Sequence, residues 1–151
     1  MITRKGKSNM LSMNSYTQDY VDECRKKVEL QLSTYKNMVT TAKKQNDSKL
    51  NSAIESFETN FFNHMVLVLD HYFVHRTRTL ELKDGNPLNE VRMLCDSIML
   101  YDNKMTKETK SMMYDPNKSV LKYKIGDEIK LKEEDFELLF KAFFSEMEKN
   151  L

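Results

Sequence analysis

Residues 61–75 have the sequence FFNHMVLVLDHYFVH, which is apolar on more than one face of a helix. That pattern is typical of a central helix covered by several neighbours. Upstream, apolar residues continue the helical spacing back to Leu50, and the stripe comprises Leu50, Ala53, Ile54, Phe57, Phe61, Met65, Val68 and Tyr72. We therefore predict a long second helix, capped by Ser48 and bent near Asn60, as the core of the fold.

A first helix is predicted over residues 16–43. Ser15 and Gln18 have the spacing of a capping box, and the apolar positions that follow step by three or four residues. These positions are Val21, Cys24, Val28, Leu32, Tyr35, Val39 and Ala42. The polar residues 43–48 end this helix.

A third and a terminal helix are predicted downstream. Asn86 and Pro87 form an N-cap followed by proline, and the third helix continues to about residue 101. Acidic residues 133–135 suit the first turn of a terminal helix. The inward side chains predicted for these helices are Leu88, Val91, Cys95, Ile98 and Met99 in the third, and Phe136, Leu139, Phe140, Phe143 and Met147 in the last.

The segment between these two helices has a different pattern. Residues 102–118 are polar and predict a long loop, with one short helix at 107–112. In residues 119–131, SVLKYKIGDEIKL, apolar and charged side chains alternate around Gly126 and Asp127. This alternation predicts a small β-hairpin packed on the helices.

The fold class that follows is mainly α: an up-down bundle of about four main helices with a small β-hairpin before the C-terminal helix. Residues 1–14 have no periodic apolar face and are predicted to be a flexible tail, and 15–151 a single domain. A chain of 151 residues buries enough surface to fold without disulfides. Cys24 and Cys95 lie on apolar stripes, so we expect buried, reduced thiols.

Charge and hydropathy exclude several function classes. With 24 basic and 23 acidic residues the net charge is +1, and the lysine-rich stretches are interrupted by acidic residues, which argues against nucleic-acid binding. The longest wholly apolar run, residues 65–69, is too short for a membrane span. The N-terminus lacks the apolar segment of a signal peptide, so a cytoplasmic location is predicted.

The three histidines carry the clearest candidate chemistry. His64, His71 and His75 lie along one side of the second helix, and His71 and His75, four residues apart, have the spacing of a two-ligand chelate for a divalent metal such as Zn²⁺. Tyr72 occupies the place of the glutamate in a zinc-hydrolase motif. Partly buried structural histidines are the favoured interpretation, with metal binding as the alternative.

Candidate ligand-binding residues lie close to the histidines or at the next helix start. Tyr72 and Arg76 would line a cleft beside the second helix, and Arg92 would assist an anion at the start of the third. Helix capping explains Arg76 equally well. The glycine-rich loops and nucleophile motifs of common enzymes are absent, which favours a non-catalytic protein.

The stretch from FFNHMVLVLDHYFVH to LCDSIM, together with SVLKYKIGDEIKL and the last aromatic helix, resembles small microbial all-α proteins whose family has no assigned function. The resemblance covers about 100 residues, from Phe57 to the C-terminus. It implies a stand-alone domain and no particular activity.

Two hypotheses from different classes follow. The first is an interaction or regulatory helical domain without cofactor that associates with itself or with another protein. The second is a metal- or small-ligand-binding protein whose site lies along the second helix at His64, His71 and His75.

Overall fold

The computed structural model describes residues 16–74, 81–106 and 113–149. This part of the chain is mainly helical and contains four α-helices. They are α1 (Gln18–Lys43), α2 (Ser48–Tyr72), α3 (Pro87–Leu100) and α4 (Glu133–Glu148). All four were predicted from the sequence. Their ends agree within a few residues, except that α2 was predicted to continue beyond His75 and ends at Tyr72.

Two helix starts differ from prediction by one or two residues. Thr17 is the N-cap of α1, and its side chain accepts a hydrogen bond from the backbone N–H of Tyr20. Asp47, rather than Ser48, caps α2 by accepting from two backbone N–H groups. Thr17 lies two residues after the predicted Ser15, and Asp47 lies one residue before the predicted Ser48. Each has a side-chain oxygen acceptor like that of the predicted residue, so the pattern locates the cap only approximately.

The core lies between α2 and α4, each of which packs against all three other helices. Phe62 of α2 contacts Phe136 of α4 with ring centroids 5.4 Å apart, and Phe73 lies 5.7 Å from Phe143. The inward positions predicted for α4 are all buried, and those of α1 are buried except for Val39, which is half-buried. The buried thiols of Cys24 and Cys95 are free, as predicted.

The inward positions predicted for α2 and α3 are only partly right. None of residues 48–60 is buried, so the first half of the α2 stripe, including Leu50 and Phe57, lies at the surface. In α3, Met99 is exposed whereas Met93 and Leu94 are buried. The cause is common to both helices: neighbouring elements cover their central parts and leave the first half of α2 and the last turn of α3 open.

The predicted β-hairpin is wrong. Among the described residues the only β-pairing is an isolated antiparallel bridge between Lys104 and Glu128. The backbone of residues 119–131 instead bonds to several parts of the chain. Glu90 accepts from the N–H groups of Val120 and Leu121, and residues 126–129 exchange backbone hydrogen bonds with Asn103 and Met105. These contacts satisfy backbone groups that a second strand would otherwise pair.

Part of the pattern predicted for residues 119–131, the irregular segment, is confirmed. Ile129 and Leu131 are buried, and Gly126 adopts a positive φ at the predicted turn. The side chain of Asn63 bridges this segment to α2, donating to the carbonyl of Ile129 at 2.9 Å and accepting from the N–H of Leu131 at 3.1 Å.

The predicted tail over residues 1–14 and the short helix predicted at 107–112 lie outside the described residues. None of the helices in the described ranges combines the length and apolar character that a membrane span requires.

Candidate binding cleft between α2 and α3

A cleft of about 430 Å³ lies between the second half of α2 and the second half of α3. The side chains that line it are mostly apolar: Leu67, Val68, Asp70, His71, Tyr72, Cys95 and Met99. The α2 members lie within residues 67–72, and two of them, Leu67 and Tyr72, also pack against the core. Its size falls within the range of small-molecule sites and of pockets for apolar anchors of a partner.

An apolar ridge stands beside this cleft, where α3 ends. Met99 is 67% exposed and Leu100 69%, and the exposed Tyr101 follows as the C-cap. We call these three residues the α3 ridge. Met99 also lines the cleft, so the exposed apolar surface of the α3 ridge continues into it, which is unusual for a surface without a binding role.

Two of the three predicted histidine ligands can be placed. His64 and His71 are both exposed on α2, so the interpretation as partly buried structural histidines is wrong for these two. His71 lines the α2–α3 cleft together with Asp70 and Cys95. His75 lies outside the described residues. Among those that the structure describes, no three His, Cys, Asp or Glu side chains are grouped to hold a metal ion. The metal site therefore stays a prediction.

Among the predicted ligand-binding residues, Tyr72 lines the cleft and Arg76 lies outside the described part of the chain. The backbone carbonyl of Tyr72 accepts a hydrogen bond from the hydroxyl of Tyr20 at 2.6 Å, which ties the end of α2 to α1. Burial raises the pKa of the Tyr20 hydroxyl, so it remains a donor.

Arg92 does not lie at the cleft. Its Nε donates to both carboxylate oxygens of Glu81, at 3.0 and 2.8 Å, and a second guanidinium nitrogen donates at 2.6 Å. At the start of α3 the side chain of Asn86 already accepts from the N–H groups of Leu88 and Asn89. The Glu81 carboxylate therefore holds the guanidinium of Arg92. The anion site at the start of α3 stays a prediction.

Three buried polar residues away from the cleft were not predicted from the sequence. Glu81 is paired with Arg92, and Glu90 and Asn63 hold the backbone of residues 119–131. Burial raises the pKa of the Glu90 carboxyl, an effect opposed by its two backbone N–H donors.

Cys95 connects the cleft to the core. Its Sγ lies 3.5 Å from the backbone carbonyl of Val66, and the residue is almost completely buried. A thiol held in this way contributes to packing between α2 and α3.

The chain matches no protein-family model, no curated protein and no solved structure.

Proposed function

We propose that this protein is a non-catalytic interaction domain that associates with a second copy of itself through the α2–α3 cleft and the α3 ridge. The observation that carries the proposal is the apolar depression beside the apolar projection on one face. The finer predictions from the sequence, an up-down order of the helices and a cytoplasmic location, are part of the same proposal.

The shape of this face supports a twofold dimer. In an interface with twofold symmetry the same patch is used by both copies, so the patch must be complementary to itself. A cleft next to a ridge meets this condition, because each copy can insert its ridge into the cleft of the other. Methionine and aromatic side chains, which both the cleft and the ridge contain, are enriched at such interfaces.

Electrostatics also permits association of identical chains. The net charge of +1 gives little repulsion between two copies. The α3 ridge itself consists of uncharged side chains, so burying it requires no charge to lose its water.

The test is the mass in solution of the purified full chain across a concentration series, with a matched pair of variants. Met99→Lys should weaken dimerisation about 10-fold or more, because an unpaired ammonium group in an apolar interface costs more than the 1.4 kcal/mol that corresponds to 10-fold. Leu30→Lys is the control: Leu30 is 65% exposed on α1 and does not line the cleft.

A dimer that is lost in Met99→Lys and kept in Leu30→Lys agrees with the proposal. A monomer at every concentration, or equal weakening by both substitutions, contradicts it. Lysine is chosen because a cation is tolerated near the C-terminal end of a helix, so the fold itself should be preserved.

Metal or small-ligand binding in the same cleft is the second candidate function, and the observation that favours it is the exposed His71 in the lining of a cleft of about 430 Å³. Elemental analysis of chelator-free protein separates the two candidates. About one equivalent of a transition metal in a monomer, lost in His71→Ala, would support the metal function, whereas a metal-free dimer would support self-association.

A further inference from the structure

A second cleft, separate from the α2–α3 face, lies among the second half of α1, the first half of α2 and the start of α4. Its volume is about 440 Å³, which suits a small molecule. The exposed first half of α2 borders this cleft. Nothing in the proposed self-association uses it.

The wall of this cleft contains a buried tyrosine. Tyr35 is only 5% exposed, and its ring packs against Phe61 and Phe62. No hydrogen bond joins its hydroxyl to any residue of the described ranges 16–74, 81–106 and 113–149. Leaving such a buried donor without a partner is costly, so its position calls for a ligand or a water molecule in the cleft.

Carboxylates of the cleft act electrostatically on this hydroxyl. Burial, together with the negative charges of Glu58, Glu133 and Glu134, raises the pKa of Tyr35 to about 12. All three carboxylates line the same opening as the tyrosine. At neutral pH the group is therefore a protonated hydroxyl, able to accept a hydrogen bond from a cation or to donate one.

Negative charge predominates around the opening. Four glutamates line it, namely Glu55, Glu58, Glu133 and Glu134, against Lys43 and Lys132. Glu58 accepts from the backbone N–H of Glu133 at 2.9 Å, and Glu133 lies 3.5 Å from Lys36. Glu55 and Glu134 form no ion pair with any residue that the structure describes, so both remain available to a ligand.

Apolar side chains complete the lining. Val39 of α1 and Ile54 of α2 contribute aliphatic surface beside the Tyr35 ring. A ligand that complements these carboxylates, the tyrosine hydroxyl and the aliphatic side chains needs a positive group with several N–H donors and an aliphatic chain. A bare metal ion fits poorly, because the described residues contain no group of three side chains arranged to hold one.

We propose that this cleft binds a small alkylammonium ligand, with its ammonium group at Glu55 and Glu134 in reach of the Tyr35 hydroxyl and its aliphatic chain against Val39 and Ile54. The carboxylates supply charge-assisted hydrogen bonds. The Tyr35 hydroxyl orients the ammonium group, and the apolar wall of Val39 and Ile54 selects against small inorganic cations.

Calorimetric titration of the full chain with 1,4-diaminobutane and with 1-aminobutane, at fixed ionic strength, tests the proposal. Both amines should bind saturably, whereas 1-butanol, which has the same chain without charge, should not. Nα-acetyl-lysine methylamide distinguishes the source of the ligand: tighter binding than the free amines would assign the cleft to a lysine side chain of a peptide, still within the alkylammonium class.

Variants locate the binding. Glu55→Gln or Glu134→Gln should each weaken binding about 10-fold or more, the effect of losing one charge-assisted hydrogen bond. Glu23→Gln is the matched control, because it removes the same charge from an exposed position of α1 outside the cleft. Equal weakening by Glu23→Gln would mean unspecific attraction and would overturn the proposal, as would the absence of saturable binding by any of the amines.

Tyr35→Phe separates a binding role from a structural one. Because the hydroxyl has no protein partner among the described residues, its removal should leave the melting temperature of the free protein unchanged or higher. Binding of 1,4-diaminobutane should weaken roughly 2- to 10-fold, the range for one neutral hydrogen bond. A lower melting temperature with unchanged affinity would overturn the role given to Tyr35, and the two glutamine variants test the site independently of it.

Discussion

The two halves of α2 belong to one continuous helix but have opposite environments. None of residues 48–60 is buried, whereas the second half contributes Phe62, Asn63, Met65, Val66 and Leu69 to the interior. One apolar stripe runs through both halves, but only the second half is apolar on further faces. Accordingly α1, α3 and α4 all contact the second half, and an open cleft borders the first.

The largest expected effect compares the same substitution in the two halves. Leu69→Ala should lower the free energy of unfolding by about 2–5 kcal/mol, because Leu69 is 0% exposed and its loss leaves a cavity. Leu50→Ala should cost less than about 1 kcal/mol, because Leu50 is 36% exposed and alanine is an excellent helix former.

Urea unfolding of the two variants and the parent chain measures this difference. Similar costs at both positions would contradict the comparison, and would mean that the first half of α2 is covered in solution. Coverage of that kind is itself informative, since a concentration-dependent cost at Leu50 would indicate a partner on this half.

A second pair of substitutions, one in each half of α2, tests the polar contacts that distinguish the two halves. Asn63→Ala should cost about 1–3 kcal/mol, because it leaves the carbonyl of Ile129 and the N–H of Leu131 without their side-chain partner. Asn60→Ala should stay within about 0.5 kcal/mol, since Asn60 is exposed and its contact to the Ser56 carbonyl is long, at 3.5 Å.

Amide hydrogen exchange gives this pair a local readout. The Leu131 amide should exchange faster in Asn63→Ala and at the parent rate in Asn60→Ala. Unchanged protection of Leu131 in both variants would show that Asn63 does not hold the irregular segment.

Helices were predictable from the sequence because their signals are local. The Asn86-Pro87 start of α3 and the acidic first turn of α4 lie within the helix that they define. The stripe of α4 also predicted its buried face correctly, because that helix is surrounded along its whole length.

The irregular segment was mispredicted because its partners are distant in the sequence. Alternation in residues 119–131 correctly indicated that Ile129 and Leu131 point inward, but the backbone of the segment bonds to the side chains of Glu90 and Asn63, 30 or more residues away, and to the backbone of residues 103–105. No local pattern specifies such side-chain contacts. The same limit applies to the candidate sites, since Tyr35 was identified as a core position whereas its cleft depends on α2 and α4.

The smallest expected effect is the pH dependence that Glu90 contributes to the stability of the fold. Burial raises the pKa of this carboxyl above its ordinary value of 4.5, despite the N–H donors of Val120 and Leu121. The folded state therefore holds the proton more tightly than the unfolded state does. The stabilisation that this tighter proton binding gives is fully present below pH 4.5. It is lost as the pH rises through the raised pKa that Glu90 has in the folded protein.

Glu90→Gln removes this titration while keeping one acceptor oxygen for the backbone. The stability of the parent chain relative to Glu90→Gln should therefore fall as the pH rises from about 4 to about 7, measured by urea unfolding at both values. The constant cost of placing an amide N–H₂ beside a backbone N–H cancels, because it is present at both pH values. Glu23→Gln, at an exposed position, should show no comparable fall. A parent chain that gains stability relative to Glu90→Gln with rising pH would mean that the two backbone donors outweigh burial, and that the segment is held by a carboxylate whose pKa is lowered.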